Sequence, residues 1–184
     1  MATDPLSLHN SSNARKLVSE GAPEGVLLAP AWKRCAAYIL DVLVINFLAG
    51  IMSKGRLLMV AWNFGTLTSP LFWAVLLSWT VILSLHWLYF KYTGLWMGRS
   101  LGQRWFHIAL VHHDATPLGS SHWGRRSFAK LRYAIPVIGQ FWWGLRDLLR
   151  IRNHQQHRSS IDEKHNTAAA IDWSLPPATR ALLR

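Results

Sequence analysis

Residues 70–90, PLFWAVLLSWTVILSLHWLYF, run for 21 positions without a Lys, Arg, Asp or Glu. A helix of about 20 apolar residues is what spans the ~30 Å hydrocarbon layer of a bilayer. In hydrocarbon only helices and closed barrels satisfy every backbone N–H and C=O internally. The run is therefore expected to be a membrane-spanning helix over 70–90, with Ser69 and Pro70 suited to its cap and first turn. Its ionisable groups are His86 and Tyr89.

A second run, residues 35–52, predicts an earlier span of 18 residues preceded by Arg34 and closed by Ser53-Lys54-Gly55-Arg56. Arg34 can lay its stem along the helix and hold its charge among head groups. Asp41 is harder to place, because a carboxylate at the centre of a spanning helix costs roughly 2.5–3.5 kcal/mol. Composition agrees with a membrane setting: hydrophobic residues are 51%, charged residues 16%, and there are 11 tryptophans to occupy water–lipid boundaries.

The net charge of +11 is distributed just outside the apolar runs, which points to anionic lipid head groups as partners and away from nucleic acid. Four Lys or Arg precede the first span, two lie between the spans and fourteen follow the second. By the positive-inside rule both termini are expected in the cytoplasm, in a bacterial inner membrane, with the apolar loop between the spans in the outer interface. Residues 1–29 are polar and expected to be flexible, and they lack a signal-peptide pattern, so the first span is expected to serve as its own insertion signal. The one cysteine, Cys35, excludes an internal disulfide.

A third apolar segment, about 133–149, contains YAIPVIGQFWWGL, broken by Pro136, Gly139 and Gln140. It is short for a span, and crossing would carry Arg146, Arg150, Arg152 and Arg158 outside, so a re-entrant or interfacial helix is preferred over a third spanning one. Segment 104–114 alternates and contains β-formers, and with 166–173 as its partner it predicts a small two-stranded cytoplasmic β element. The expected fold class is thus an all-α membrane protein built on a helical hairpin, with a membrane domain over 30–172 and a tail over 173–184.

WKRCAAYILD, GRSLGQRWFHIALV and HRSSIDEKHNT, read in order, resemble the RDD family of small bacterial membrane proteins. The resemblance maps the family's arginine and two aspartates onto Arg34, Asp41 and Asp162. Its G-x-[ST]-x-G-x-R stretch falls on Gly98, Ser100, Gly102 and Arg104, and its late threonine on Thr167. Three features depart from the pattern: Ile161 stands where His is usual, Asp114-Ala115 where Asp-Gly is usual, and 150–158 is rich in His, Gln and Arg. The resemblance implies an undefined biochemical role, with transport proposed for the family and sodium–proton exchange attributed to some members.

Arg34 and Asp41 share a helix face but lie about 10 Å apart along the axis, and Arg34 leans toward the N-terminus, so each needs another partner. His86 is expected at the depth of Asp41 on an antiparallel second span and is one candidate partner; Arg99 and Arg104 are others. Asp162 is the candidate for Arg34. Gly98 and Gly102 suit a sharp turn at the membrane surface, with Arg99 and Arg104 meeting lipid phosphates. Gly98-Arg99-Ser100-Leu101-Gly102 matches the G-x-S-x-G nucleophile elbow in letters only, since it follows a membrane helix rather than a buried strand, and no enzyme is expected. The histidines 107, 112, 113, 122, 154, 157 and 165 lack helical H-x-x-x-H spacing or thiol support, so neither a designed metal site nor another cofactor is expected. Two readings remain open: a transport component acting as a homo-oligomer, or an accessory subunit docking in a larger membrane complex.

Overall fold

The computed structural model describes residues 25–183 apart from 69, 113, 137 and 154–157. Two helices long and apolar enough to cross a membrane dominate it: α1 (Ala31–Ser53, 23 residues) and α3 (Phe72–Met97, 26 residues). At about 1.5 Å per residue each exceeds the ~30 Å hydrocarbon layer. Both extend beyond the bounds expected from sequence, α1 by a turn at its start and α3 by nearly two turns at its end. The start of α3 also differs: its N-cap is Leu71, with no side-chain cap, and Ser69 lies outside the described residues.

Each helix buries only a narrow stripe. On α1 this is Lys33, Ala37, Asp41, Ile45 and Ala49, at i, i+4 spacing; on α3 it is Val75, Ser78, Ile82, His86, Phe90 and Gly94. Large apolar side chains on the other faces stand free of protein, Leu43 at 60%, Phe47 at 68% and Leu77 at 67% exposure. A soluble core helix shows the reverse. Exposed aromatic rings gather at both ends of the hairpin, Trp62, Phe64 and Trp73 at one and Trp32, Trp96 and Trp105 at the other, as amphipathic rings do at two membrane interfaces.

Lys54 and Gly55, with φ of 51° and 79°, end α1 and let the chain enter the short α2 (Arg56–Ala61) and a 3-10 turn (Phe64–Thr68). The Trp79 indole N–H donates to the Ala61 carbonyl at 3.0 Å, tying this connection to α3.

At the opposite end the chain builds a compact cap. Gly98 (φ 66°) closes α3 and leads into α4 (Leu101–Trp105), then strand β1 (Ile108–His112). β1 pairs antiparallel with β2 (Thr167–Ile171), Ile108 opposite Ile171 and His112 opposite Thr167. This is the two-stranded element expected from 104–114 and 166–173. Residues 25–29 extend it: Leu28 bridges Ala170, and Ala29 N–H donates to Ala169 O at 2.8 Å. The polar segment expected over 1–29 therefore ends sooner, because Val26, Leu28 and Ala29 are buried in the cap; residues 1–24 lie outside the described residues. The tail expected over 173–184 also joins the cap: Leu175 is buried, and Thr179 on α8 (Pro177–Ala181) donates to Ala115 O at 3.1 Å.

The third apolar segment is not one helix. Helix α5 (Ser120–Ala134) ends before Ile135, which Pro136 holds in extended backbone. A π-helical segment (Gly139–Gly144) then runs into α6 (Leu145–Asn153). Residues 139–153 measure about 22 Å, short of a bilayer crossing. Helix α5 packs on α3 through Trp123, whose ring lies over Gly94 so closely that a Cβ there would come within 2.1 Å of it. A short helix α7 (Ser160–Lys164) precedes β2.

Candidate functional site

Asp41 is 1% exposed and meets three donors, none of them cationic. The Tyr89 hydroxyl donates to Oδ1 at 2.7 Å, the Ser100 hydroxyl to Oδ2 at 2.6 Å, and the Gly102 N–H to Oδ1 at 2.7 Å. Each donor is itself held. Ser100 caps α4 in a capping box, accepting from Gln103 N–H while Gln103 Oε1 accepts from Ser100 N–H at 2.9 Å. Tyr89 accepts from Leu101 N–H at 3.3 Å. Gly102 is demanded by close approach, since a Cβ would sit 2.1 Å from the Ala37 carbonyl oxygen. Gly98 thus makes the turn expected of it, whereas Gly102 lies within α4 and serves close approach instead; the inward face of 98–104 is a carboxylate cradle.

His86 is not part of that cradle. Its Nδ1 lies 2.8 Å from Ile82 O one turn back on α3, and among the described residues no hydrogen bond joins it to Asp41. Rotation about the α3 axis turns Tyr89, three residues on, toward Asp41 instead of His86. Arg99 and Arg104 are not partners of Asp41 either. Arg99 pairs with Asp172 at 2.9 Å, and the exposed Arg104 reaches Met97 Sδ at 3.9 Å. Of the two, Arg104 is the one left facing outward.

A second centre lies one to two turns toward the N-terminus of α1. Arg34 donates through Nη1 to Asp162 at 2.6 Å, through Nη2 to Ala169 O at 3.2 Å and through Nε to Ala29 O at 3.1 Å. The other Asp162 oxygen accepts from Arg126 on α5, which also donates to Thr167. Ser159 N–H adds a bond to Asp162 at 3.1 Å within the capping box of α7. Burial opposes the charge on Asp162, yet the Arg126 and Arg34 guanidinium groups hold its carboxyl well below the usual carboxylate range. Four separated pieces of chain, residues 29–34, 126, 159–162 and 167–169, meet here. A third cluster links α5, α6 and α7: Arg132 pairs with Asp147 at 2.6 Å, and Tyr133 and Ser160 donate to the same carboxylate.

Between α1 on one side and α5, the π segment and α6 on the other lies a cavity of about 590 Å³. Arg34, Asp41, Arg126 and Asp162 form part of its wall, together with Lys130, whose ammonium sits 4.0 Å from the Phe90 ring centre. Burial, and repulsion from Arg126, push the Lys130 ammonium down to about 8 despite the opposing pull of Asp41 and Asp162. Among the described residues no group of three His, Cys, Asp or Glu side chains is placed to hold a metal ion; His113, His154 and His157 lie outside them.

Sequence reasoning paired Arg34 with Asp162 but passed over Arg126, Lys130 and the role of Tyr89. Trp123, Arg126, Ser127, Lys130 and Ala134 recur at helical spacing in 120–134, and that was a readable signal. It is masked because the inward face of α5 is polar and so lacks apolar periodicity.

No curated protein and no solved structure matches the chain. The RDD family model matches residues 28–157, a span that includes Arg34, Asp41, the turn at 98–104 and Arg126 and stops before Asp162. With well over half its length matched and two helices long and apolar enough to span a bilayer, this membrane protein belongs to the RDD family.

Proposed function

We propose that this protein is a non-catalytic accessory component that docks within a larger membrane assembly, and that it does not itself carry ions. The observation that supports this reading most is the saturation of both aspartates. A carrier site must release and rebind its ligand, whereas Asp41 accepts three hydrogen bonds from groups that are themselves held, and Asp162 is shared by two guanidinium groups. Stripping either carboxylate of its partners costs several kcal/mol. Two helices of spanning length without an internal repeat also offer little for alternating access. Ser100, the only serine of the G-x-S-x-G match, is 2% exposed and committed to Asp41 and the α4 cap, which argues against a nucleophile.

In this reading the polar clusters rivet the cap to the hairpin, and the uncovered apolar faces of α1 and α3 meet lipid or a neighbouring subunit. The Lys and Arg excess at the cap end supports a cytoplasmic cap in a bacterial inner membrane, with anionic head groups around Arg104.

Full-length protein in proteoliposomes, under imposed sodium and pH gradients, is expected to show no flux above protein-free vesicles. Flux that disappears in a folded Asp41→Asn variant overturns the accessory reading in favour of an antiporter. Protease added to inside-out and right-side-out membrane vesicles tests the orientation: cleavage within 98–184 is expected from the inside-out face alone.

A further inference from the structure

The cavity between α1 and the α5–α6 layer is not explained by a riveting role for its polar wall. Its volume, about 590 Å³, falls in the range of small-molecule sites. Most of its lining is apolar, and the residues at its rim, Ile39 and Leu43 on α1 and Phe141 and Leu145 opposite, are 49% exposed or more. Ile39 and Leu43 belong to the outward surface of the apolar helix α1, and Phe141 stands on the apolar π-helical segment across from them, so the mouth opens sideways, toward lipid. The inner wall is polar and carries an imbalance of charge. Arg34, Arg126 and Lys130 face Asp41, Asp147 and Asp162 there, but Asp147 is already paired with Arg132, which is not part of the lining. One positive charge is left over. Lys130 is the cation of the wall that forms no ion pair among the described residues; it rests on the Phe90 ring instead. Tyr38, also a lining residue, has a buried hydroxyl without a partner among the described residues. A burial of that kind ordinarily finds an acceptor.

We infer that this cavity binds a single-chain amphiphile with a monoanionic head group, of the long-chain carboxylate class, its head on Lys130 and its chain leaving between Leu43 and Phe141. The anion removes the surplus charge of the wall and supplies the acceptor that the Tyr38 hydroxyl lacks. The chain covers the apolar wall and continues into the lipid without a break in its surroundings. This goes beyond the accessory reading and does not depend on it, since a bound amphiphile is compatible with a docking subunit or a carrier.

Photolabelling tests it. The full-length protein in phosphatidylcholine nanodiscs is exposed to a hexadecanoic acid carrying a mid-chain diazirine, and in parallel to the alcohol of the same chain. Adducts with the acid are expected on peptides covering 35–43 and 140–151, at least tenfold above those with the alcohol. Lys130→Gln is expected to lower acid labelling at least tenfold, Lys130→Arg to retain most of it, and Tyr38→Phe to lower it two- to fivefold. Equal labelling by acid and alcohol overturns the inference, as does unchanged labelling in a folded Lys130→Gln protein or labelling spread evenly over the outer face of α3. If Lys130→Gln does not fold, the acid-to-alcohol ratio in the wild type and the Tyr38→Phe effect decide the matter.

Discussion

Asp162 sits 1% exposed between Arg34 and Arg126 and is paired with both. Asp162→Asn leaves two guanidinium groups facing a neutral amide, and is expected to destabilise the protein by about 3–5 kcal/mol, read as a fall in thermal midpoint in nanodiscs. The pH response follows from the direction of each shift. Asp162 is held below its unfolded value of about 4, so its stabilising contribution is complete above about pH 4 and is lost only as pH falls through its lower folded value. Acid between about pH 4 and 6 is therefore expected to leave the rivet intact. Lys130 behaves oppositely. With its ammonium at about 8 in the fold and about 10.4 when unfolded, the unfolded chain holds more protons between those values, so stability rises with pH across that window. Lys130→Met is expected to flatten the rise in thermal midpoint between pH 8 and 10.

Among the elements, the short α4 is decided by one backbone approach. Ser100 and Gly102 reach Asp41 only because Gly102 lies against the Ala37 carbonyl with no side chain between them. Gly102→Ala is expected to push α4 away and weaken both bonds, costing about 2–4 kcal/mol from overpacking and lost charge-assisted hydrogen bonds. Ser100→Ala, which removes one donor without adding bulk, is expected to cost less, about 1.5–3 kcal/mol. Ranking the two variants by denaturation of the full-length protein checks the close-packing argument: a Gly102→Ala protein as stable as wild type refutes it. The α3–α5 contact at Gly94 and Trp123 has the same character, a small residue admitting a large neighbour.

At the scale of the molecule, the cap and the hairpin are one structure rather than two in series. β1 finds its partner 55 to 63 residues later, residues 27–29 add to the far side of β2, and Arg34 at the head of α1 bonds to the main chain at both Ala29 and Ala169. The family match ends at residue 157, before α7 and β2. A chain cut after 157 loses Asp162 and the central strand together. It is expected to be cleaved rapidly between 98 and 157 in limited proteolysis under conditions where the full-length protein resists.

Much of this was legible beforehand, and the divide is physical. Hydropathy is a local sum, so the two long helices and the aromatic ends could be read from neighbours in the chain; the β-formers of 104–114 marked a strand, but the alternation expected there gives way to burial of nearly every residue of both strands. The Arg34–Asp162 pair rested on the resemblance to the RDD family, which marks both residues, together with the need of a charge at the membrane boundary for a partner. What no local sum contains is angular position and long-range approach. Rotation about α3 selects Tyr89 over His86 for Asp41, the gap at Gly102 admits a backbone N–H to the same carboxylate, and the polar face of α5 delivers Arg126 and Lys130 to one wall. By itself the sequence determined that this chain belongs in a bilayer and that its buried charges must be answered. Only the tertiary structure decided which groups answer them, because hydrogen bonds and ion pairs depend on distances of a few ångströms between residues far apart in the chain.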